Sequence, residues 1–179
     1  MNPKEKILVE QCKKGDIKAM NALYDMYYKP LFNTAYRIVN DFHFAEDVMH
    51  EAFIKAFQRI HSFRGEASFG AWLKRIIINE SLQWIKKYGN FNAHEDEKMF
   101  DHAEDHKELD LRDNDPKEML KILRSLKDNY RTILSLYYME GYDYEEIAQI
   151  MGISYQNART MMSRAKSALR KLINENKIL

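Results

Sequence analysis

Three sets of residues in this 179-residue chain have the types and spacing to make specific contacts. The first lies near the C-terminus. At about 100° per residue, Arg159, Thr160, Ser163, Arg164, Lys166, Ser167, Arg170 and Lys171 fall on one side of a helix, with no acidic residue among them. Such a face can meet phosphates and base edges. The second is a narrow stripe of Trp72, Arg75, Asn79, Gln83 and Lys86 between two apolar sectors of another helix. Arg and Lys can meet phosphates, Asn and Gln can read base edges, and an indole can stack on an unpaired base. On periodicity alone, Trp72 fits a core position slightly better. The third is Asp47, Glu51, Ile54 and Gln58, which share one side of a helix. They fit a solvated face, or, with an apolar Ile54 between carboxylates, a contact with another protein.

The element that presents the first set runs from Asp143 to Leu172. Asp143, with Glu146 three residues on, is a capping box. Ile147, Ala148 and Met151 form one face of a short helix, and Gly152 is placed to end it in a left-handed conformation. Ser154 can cap a second helix, whose apolar side is Ala158, Met161, Met162, Ala165, Ala168, Leu169 and Leu172. A short capped helix, a glycine turn and a longer helix with a basic, hydroxyl-rich outer face describe a DNA-binding helix-turn-helix. An αα-hairpin with a solvated basic face is the bland alternative.

Composition narrows the class. The chain is 45% hydrophobic with 6 Gly and 3 Pro, which predicts an all-α fold in one large or two small domains. A single cysteine, Cys12, excludes an internal disulfide and a multi-cysteine zinc site, and fits a reducing compartment. No apolar run approaches the roughly 20 residues of a membrane span, and the charged N-terminus lacks the apolar core of a signal peptide. A cytoplasmic protein without membrane insertion is therefore expected. The net charge of +1 hides an asymmetry: residues 1–88 carry +4, 89–116 carry −7 and 117–179 carry +4. Two basic segments flank an acidic one, which suggests contact with a polyanion at both ends.

Helices are predicted over Lys4–Lys14, from Ile17 to about Val39, over Phe44–Ile60 and over Phe69–Tyr88. Pro30 should kink or split the second. His61–Ser68 is a loop holding Phe63, Arg64 and Gly65. Residues 89–116 lose helical periodicity and are expected to be a flexible acidic linker. Its 28 residues would span about 30 Å as a coil and up to about 90 Å extended, against about 34–36 Å for one turn of DNA. His94, His102 and His106 within it are expected to be solvated polar residues, with a metal site the weaker option. Helices follow at Lys117–Leu126 and Asn129–Met139, the latter capped by Asp128. Their apolar positions are Leu120, Leu123, Leu126, Ile133, Leu134 and Tyr137, giving a four-helix C-terminal domain. No phosphate-binding glycine loop, HExxH or recognisable nucleophile is present, so neither catalysis nor a cofactor is expected.

The stretches FAEDVMHEAFIKAFQRI, FRGEASFGAWLKRIIIN, YRTILSLYYMEGYDYEEIAQIMGIS and SRAKSALRKL, in this order and around an acidic linker, resemble an extracytoplasmic-function (ECF) sigma factor of bacterial RNA polymerase. The resemblance covers nearly the whole chain. It implies that residues 1–88 correspond to sigma region two, which binds the polymerase β′ clamp helices and the −10 promoter element. Residues 117–179 correspond to region four, which reads the −35 element. Asp47, Glu51, Ile54 and Gln58 then stand on the polymerase-binding face. Phe63, Arg64, Trp72, Arg75, Asn79, Gln83 and Lys86 stand where a flipped base of the non-template strand is captured. Tyr155, Gln156, Asn157, Arg159, Thr160, Ser163, Arg164, Lys166 and Ser167 are placed to read the −35 duplex. The resemblance also implies core RNA polymerase (β′ and β), promoter DNA and an anti-sigma factor as partners. Two departures matter. The run Tyr155-Gln156-Asn157-Ala158-Arg159-Thr160-Met161 replaces the family's small-Gly-Thr-Val-Lys/Arg-Ser-Arg pattern, so the −35 sequence does not carry over. Gly70-Ala71 stands where a larger polar pair is common, which leaves the −10 preference open.

Two other classes compete. A stand-alone helix-turn-helix regulator would bind an operator as a dimer, but it leaves the Asp47–Gln58 face and the Trp72–Lys86 stripe unused. A module that only sequesters a protein partner leaves the basic face of the C-terminal helix unused.

Overall fold

The computed structural model describes residues 3–89 and 116–177. The linker stretch, with His94, His102 and His106, lies outside the described residues. Regular structure is helical throughout the described part, as expected. The chain divides into two compact units, Met1–Trp84 and Ile85–Leu179, each taken by itself below.

In the first unit α1 spans Pro3–Lys13, α2 Ile17–Val39, α3 Phe42–Gln58 and α4 Phe69–Tyr88, with one 3₁₀ turn at Ile60–Ser62. Asp16 caps α2 by accepting from the amides of Lys18 and Ala19 at 2.8 and 3.2 Å. Asp41 caps α3 through the Phe44 amide at 3.0 Å. Pro30 does not split α2, which runs helical through it. The ring removes one donor only, and Pro30 is solvent-exposed, so water can satisfy the carbonyl one turn back. The core gathers Leu23, Leu31, Ala35, Met49, Phe53, Phe69, Leu73 and Ile77. A polar tie crosses three helices: the Tyr27 hydroxyl of α2 donates to the buried Glu5 carboxylate of α1, and the Gly70 amide of α4 lies against the same phenol oxygen. A Cβ at Gly70 would stand 2.7 Å from the Tyr27 ring, so glycine is what lets α4 begin this close to α2. Burial and the Glu5 carboxylate together push the Tyr27 phenol well above its ordinary pKa.

In the second unit α5 spans Pro116–Ser125, α6 Asp128–Tyr138, α7 Tyr144–Met151 and α8 Tyr155–Lys177. Helix α6 is central: Arg131 to Leu136 are six consecutive buried residues. A helix buried all round shows no single apolar stripe. Asp128 is not the N-cap of α6. Lys127 holds that position without a side-chain bond, and the Asp128 carboxylate instead accepts from the buried Arg131 guanidinium at 2.6 Å. Arg131 also donates to the Leu126 carbonyl at 3.0 Å, so its charge is neutralised and bonded where it is buried. On α5 the fully buried positions are Met119, Ile122 and Leu123, while Leu120 is only half-buried.

Candidate functional site

The exposed side of α3 carries Asp47, Glu51, Ile54 and Gln58, spaced so that they form one ridge, and all four are exposed. Ile54 is 52% exposed although it is flanked by turns whose other sides are core. Lys55 ties this ridge to α4: its ammonium sits 3.3 Å from Glu51 and 2.6 Å from Glu80, and the Glu80 carboxylate holds it protonated above the usual lysine range. Beside the ridge runs an aromatic ladder. Tyr24, Tyr28, Phe32 and Tyr36 recur every fourth residue of α2, with neighbouring ring centroids 5.1, 5.8 and 6.0 Å apart. Phe42, 51% exposed, closes on Phe32 at 5.1 Å, and His50 of α3 reaches the Tyr24 hydroxyl at 3.1 Å. These half-exposed rings were not among the expected contact residues. Their i, i+4 spacing was visible, but it reads equally as core.

On α4, Arg75, Asn79, Gln83 and Lys86 are exposed and Trp72 is half-buried. The Trp72 ring packs on Phe63 at 5.4 Å and on Phe69 at 5.5 Å, and the residue stays only partly buried. Phe63 departs from the expectation. It is 5% exposed, wedged edge-on against Phe69 at 5.6 Å, so it props the loop and does not itself face outward. The exposed Arg64 next to it, followed by Gly65 with φ of +78°, is what the loop presents. Ser68 starts α4 by accepting from the Ala71 amide at 3.2 Å.

The helix-turn-helix of α7 and α8 is built as its sequence predicts. The Asp143 carboxylate accepts from the Glu146 amide at 2.8 Å, and the Glu146 carboxylate accepts from the Asp143 amide at 3.0 Å. Gly152 ends α7 at φ of +70°, and the Ser154 hydroxyl accepts from the Asn157 amide at the head of α8. Ala158, Met161, Met162, Ala165, Leu169 and Ile173 are the buried side of α8, and Ala168 and Leu172 are only half-buried. Outward lie Gln156, Ser167 and Lys171, fully exposed, with Asn157, Arg159, Thr160, Ser163, Arg164 and Arg170 half-exposed. Tyr155, the first residue of α8, is 46% exposed. Lys166 departs from the expectation: it is 7% exposed, its ammonium 5.8 Å from the Tyr137 ring and 5.9 Å from the Tyr138 ring. It borders the core at the edge of the wheel, where a long side chain leans back over the preceding turn.

Among the described residues no group of His, Cys, Asp and Glu is arranged to hold a metal, and no helix is long and apolar enough to cross a membrane. The site is thus made of surfaces: an acidic and aromatic one on α2 and α3, a polar stripe on α4 and a basic one on α8.

Two family models match, Sigma-70 region 2 over residues 23–91 and Sigma-70 region 4 over residues 117–169. The chain is 33% identical to the RNA polymerase sigma-H factor of Pseudomonas aeruginosa, over 93% of this chain and 92% of that one. It is 33% identical to the ECF RNA polymerase sigma-E factor of Haemophilus influenzae, over 97% and 95%. The chain belongs to the ECF sigma factor family. In fold it is similar to the sigma factor RpoE of Bartonella quintana, solved in complex with the anti-sigma factor NepR, with a TM-score of 0.59 at 23% identity over 88% of this chain and 98% of that one. It is also similar to CnrH, solved with the cytosolic domain of CnrY, with a TM-score of 0.57 at 20% identity over 96% and 97%. As a member of this family of DNA-binding initiation factors, the chain directs promoter-specific transcription initiation and works with core RNA polymerase and promoter DNA. The α3 ridge and the α4 stripe fall inside the region 2 match, and the outward face of α8 from Tyr155 to Ser167 falls inside the region 4 match.

Proposed function

We propose a division of labour in which each described surface meets one partner. The Asp47, Glu51, Ile54 and Gln58 ridge docks on core polymerase, on its β′ clamp helices. Arg64 with Trp72, Arg75, Asn79, Gln83 and Lys86 holds the opened strand of the −10 element. Tyr155, Gln156, Asn157, Arg159, Thr160, Ser163, Arg164 and Ser167 read the −35 duplex. On this reading residues 1–88 and 117–179 act as two promoter-binding domains joined by 89–116. The chain performs no catalysis of its own, acts in the cytoplasm, and is held in check by an anti-sigma factor that covers its polymerase-binding surfaces. One structure similar to it, the sigma factor RpoE of Bartonella quintana, was solved in complex with an anti-sigma factor.

The observation that carries this reading is the outward face of α8, basic and rich in hydroxyls with no carboxylate from Tyr155 to Leu172, presented by a helix-turn-helix with both helices capped. Opening a duplex costs a few kcal/mol per extruded base, and stacking on an aromatic returns about 1–3, so a half-exposed Trp72 beside Arg64 suits strand capture without ATP. A stand-alone regulator leaves the residue 23–91 match without a role. The test is run-off transcription from genomic promoter fragments with purified core polymerase. Specific initiation that requires the chain is expected, and its absence on all fragments sinks the reading.

A further inference from the structure

The basic residue of α8 that does not face outward has partners of an unusual kind. Lys166 sits against the end of α6, its ammonium over the Tyr137 and Tyr138 rings. From Tyr137 a chain of rings leads back to the start of α8. Tyr137 stacks on Tyr144, the first residue of α7, at 5.3 Å and 25°. Tyr144 meets Tyr155, the first residue of α8, edge-on at 6.4 Å and 89°. The two tyrosines of α6 cross at 5.0 Å and 82°. Burial raises the Tyr144 phenol above its ordinary pKa, against the opposing charges of Lys166 and Arg159. On the helical wheel Tyr155, Arg159 and Lys166 share one edge of α8, the edge that the Tyr137–Tyr144 pair covers.

Packing a lysine down to 7% exposure costs hydration that surface lysines keep, and the Tyr137 and Tyr138 faces are near enough to offset part of it. With 7% of the residue exposed, the side chain has little surface left for a phosphate contact. It can fix geometry. With Lys166 over the rings, Tyr137 has one position, Tyr144 stacks against it, and Tyr144 in turn sets the direction of Tyr155. Tyr155 is the exposed residue at the head of the helix whose first turns reach bases in this kind of motif.

We propose that Lys166 is a positioning residue for promoter reading: it holds the Tyr137–Tyr144–Tyr155 ring chain that orients Tyr155, and it makes no phosphate contact of its own. This rests on the reading of α8 as the −35 reader. The inference is specific to the residues present here, since the opening run of α8 departs from the family pattern at Tyr155.

The test uses the full chain reconstituted with core polymerase, and promoter fragments randomised across the −35 stretch. Selection first identifies the base pair whose preference is lost in Tyr155→Ala. At that pair Lys166→Met is expected to lower discrimination by about fivefold, a part of the span a single good base contact provides. Lys166→Arg, which keeps a cation over the rings, is expected to retain it. The double variant Lys166→Met with Tyr155→Ala should be no worse than Tyr155→Ala alone. The slope of log affinity against log salt should stay unchanged. Tyr137→Leu, which removes a ring and leaves the lysine, should give the same loss at the same base pair, and it guards against a Lys166→Met chain that fails to fold.

A salt slope shallower by about 0.9, with affinity lost evenly across sequences, would show a phosphate contact and overturn the proposal. Additive effects of Lys166→Met and Tyr155→Ala would overturn it too. So would a Tyr155→Ala that changes no preference while Arg164→Ala still weakens promoter binding, an outcome that leaves the α8 reading standing. If neither Tyr155→Ala nor Arg164→Ala matters, the reading itself fails.

Discussion

The sharpest test of the α3 ridge is Ile54→Ala. The side chain is 52% exposed in the free protein, so about half of its surface is already packed and half is available to a partner. The substitution removes three carbon groups, each worth about 0.8 kcal/mol when taken from water to a fully buried place. Because only about half of that transfer is left to occur on docking, the loss comes to about 1.2 kcal/mol, or a factor of about 7 in affinity for core polymerase. If Ile54 seats in a pocket at the centre of the interface the loss is larger, as for other apolar anchors. The half already packed is lost from the fold in the same proportion, so stability should also fall by about 1.2 kcal/mol, well short of the loss at a core position. Fluorescence anisotropy of a labelled chain titrated with core polymerase reads the affinity, and thermal unfolding reads the control. Unchanged affinity, with stability lowered by no more than about 1.2 kcal/mol, would refute the assignment of this ridge to polymerase. A loss of several kcal/mol in stability would refute the structural premise that Ile54 faces outward.

Four further outcomes follow from the geometry. Arg164→Ala should weaken promoter binding by about 1–3 kcal/mol at a base contact while leaving affinity for core polymerase intact; equal losses in both assays would contradict separate surfaces. Asp143→Ala removes the side-chain half of the capping box, the 2.8 Å bond accepted from the Glu146 amide, and should destabilise the second unit by about 0.5–2 kcal/mol in urea unfolding. Phe63→Ala should cost about 3–5 kcal/mol of stability because the ring is buried, whereas Arg64→Ala should leave stability unchanged and slow open-complex formation; the reverse pattern would return Phe63 to the contact surface. Burial pushes the Cys12 thiol up from 9.0 to about 11, so the unfolded chain releases this proton first as pH rises. The stability Cys12 contributes should be fully present below about pH 9 and be lost between about pH 9 and 11, and a Cys12→Ala chain compared with the parent over that window should lack this component.

What the residues announced, and what they concealed, follows from the kind of burial each experiences. The helix-turn-helix was legible because its signals are local: a capping box closes within three residues, and Gly152 needs only its own φ of +70°. The α3 ridge and α4 stripe were legible because each helix has one exposed side. Helix α6 was harder, since Arg131, Thr132 and Ser135 are buried polar residues inside a helix surrounded on every side. Nothing local says that Asp128 will turn to Arg131 and leave the cap. Phe63 lies in a loop without periodicity, and only the arrival of Phe69 and Trp72 from α4 buries it. Lys166 sits at the margin of the wheel, and whether such a residue reaches water depends on Tyr137 and Tyr138, which belong to another helix.

Phe63 and Lys166 share a property that bears on how promoter-reading residues are held. Each looks like a contact residue by type and place, each is buried, and each adjoins a more exposed residue on a surface proposed to meet DNA: Arg64 follows Phe63, and the half-exposed Arg159 and exposed Tyr155 share the edge of Lys166. A long side chain that waits in solvent gives up rotamer entropy of up to about 2 kcal/mol when it binds, comparable to the 1–3 kcal/mol a base contact returns. Fixing its neighbourhood beforehand lowers that cost for the bound geometry and leaves it in place for others. An anchored residue would, on the proposed reading, contribute to selectivity without touching a base. On the proposed reading, two positions that looked like readers in the sequence, Phe63 and Lys166, act through neighbours on the same surface.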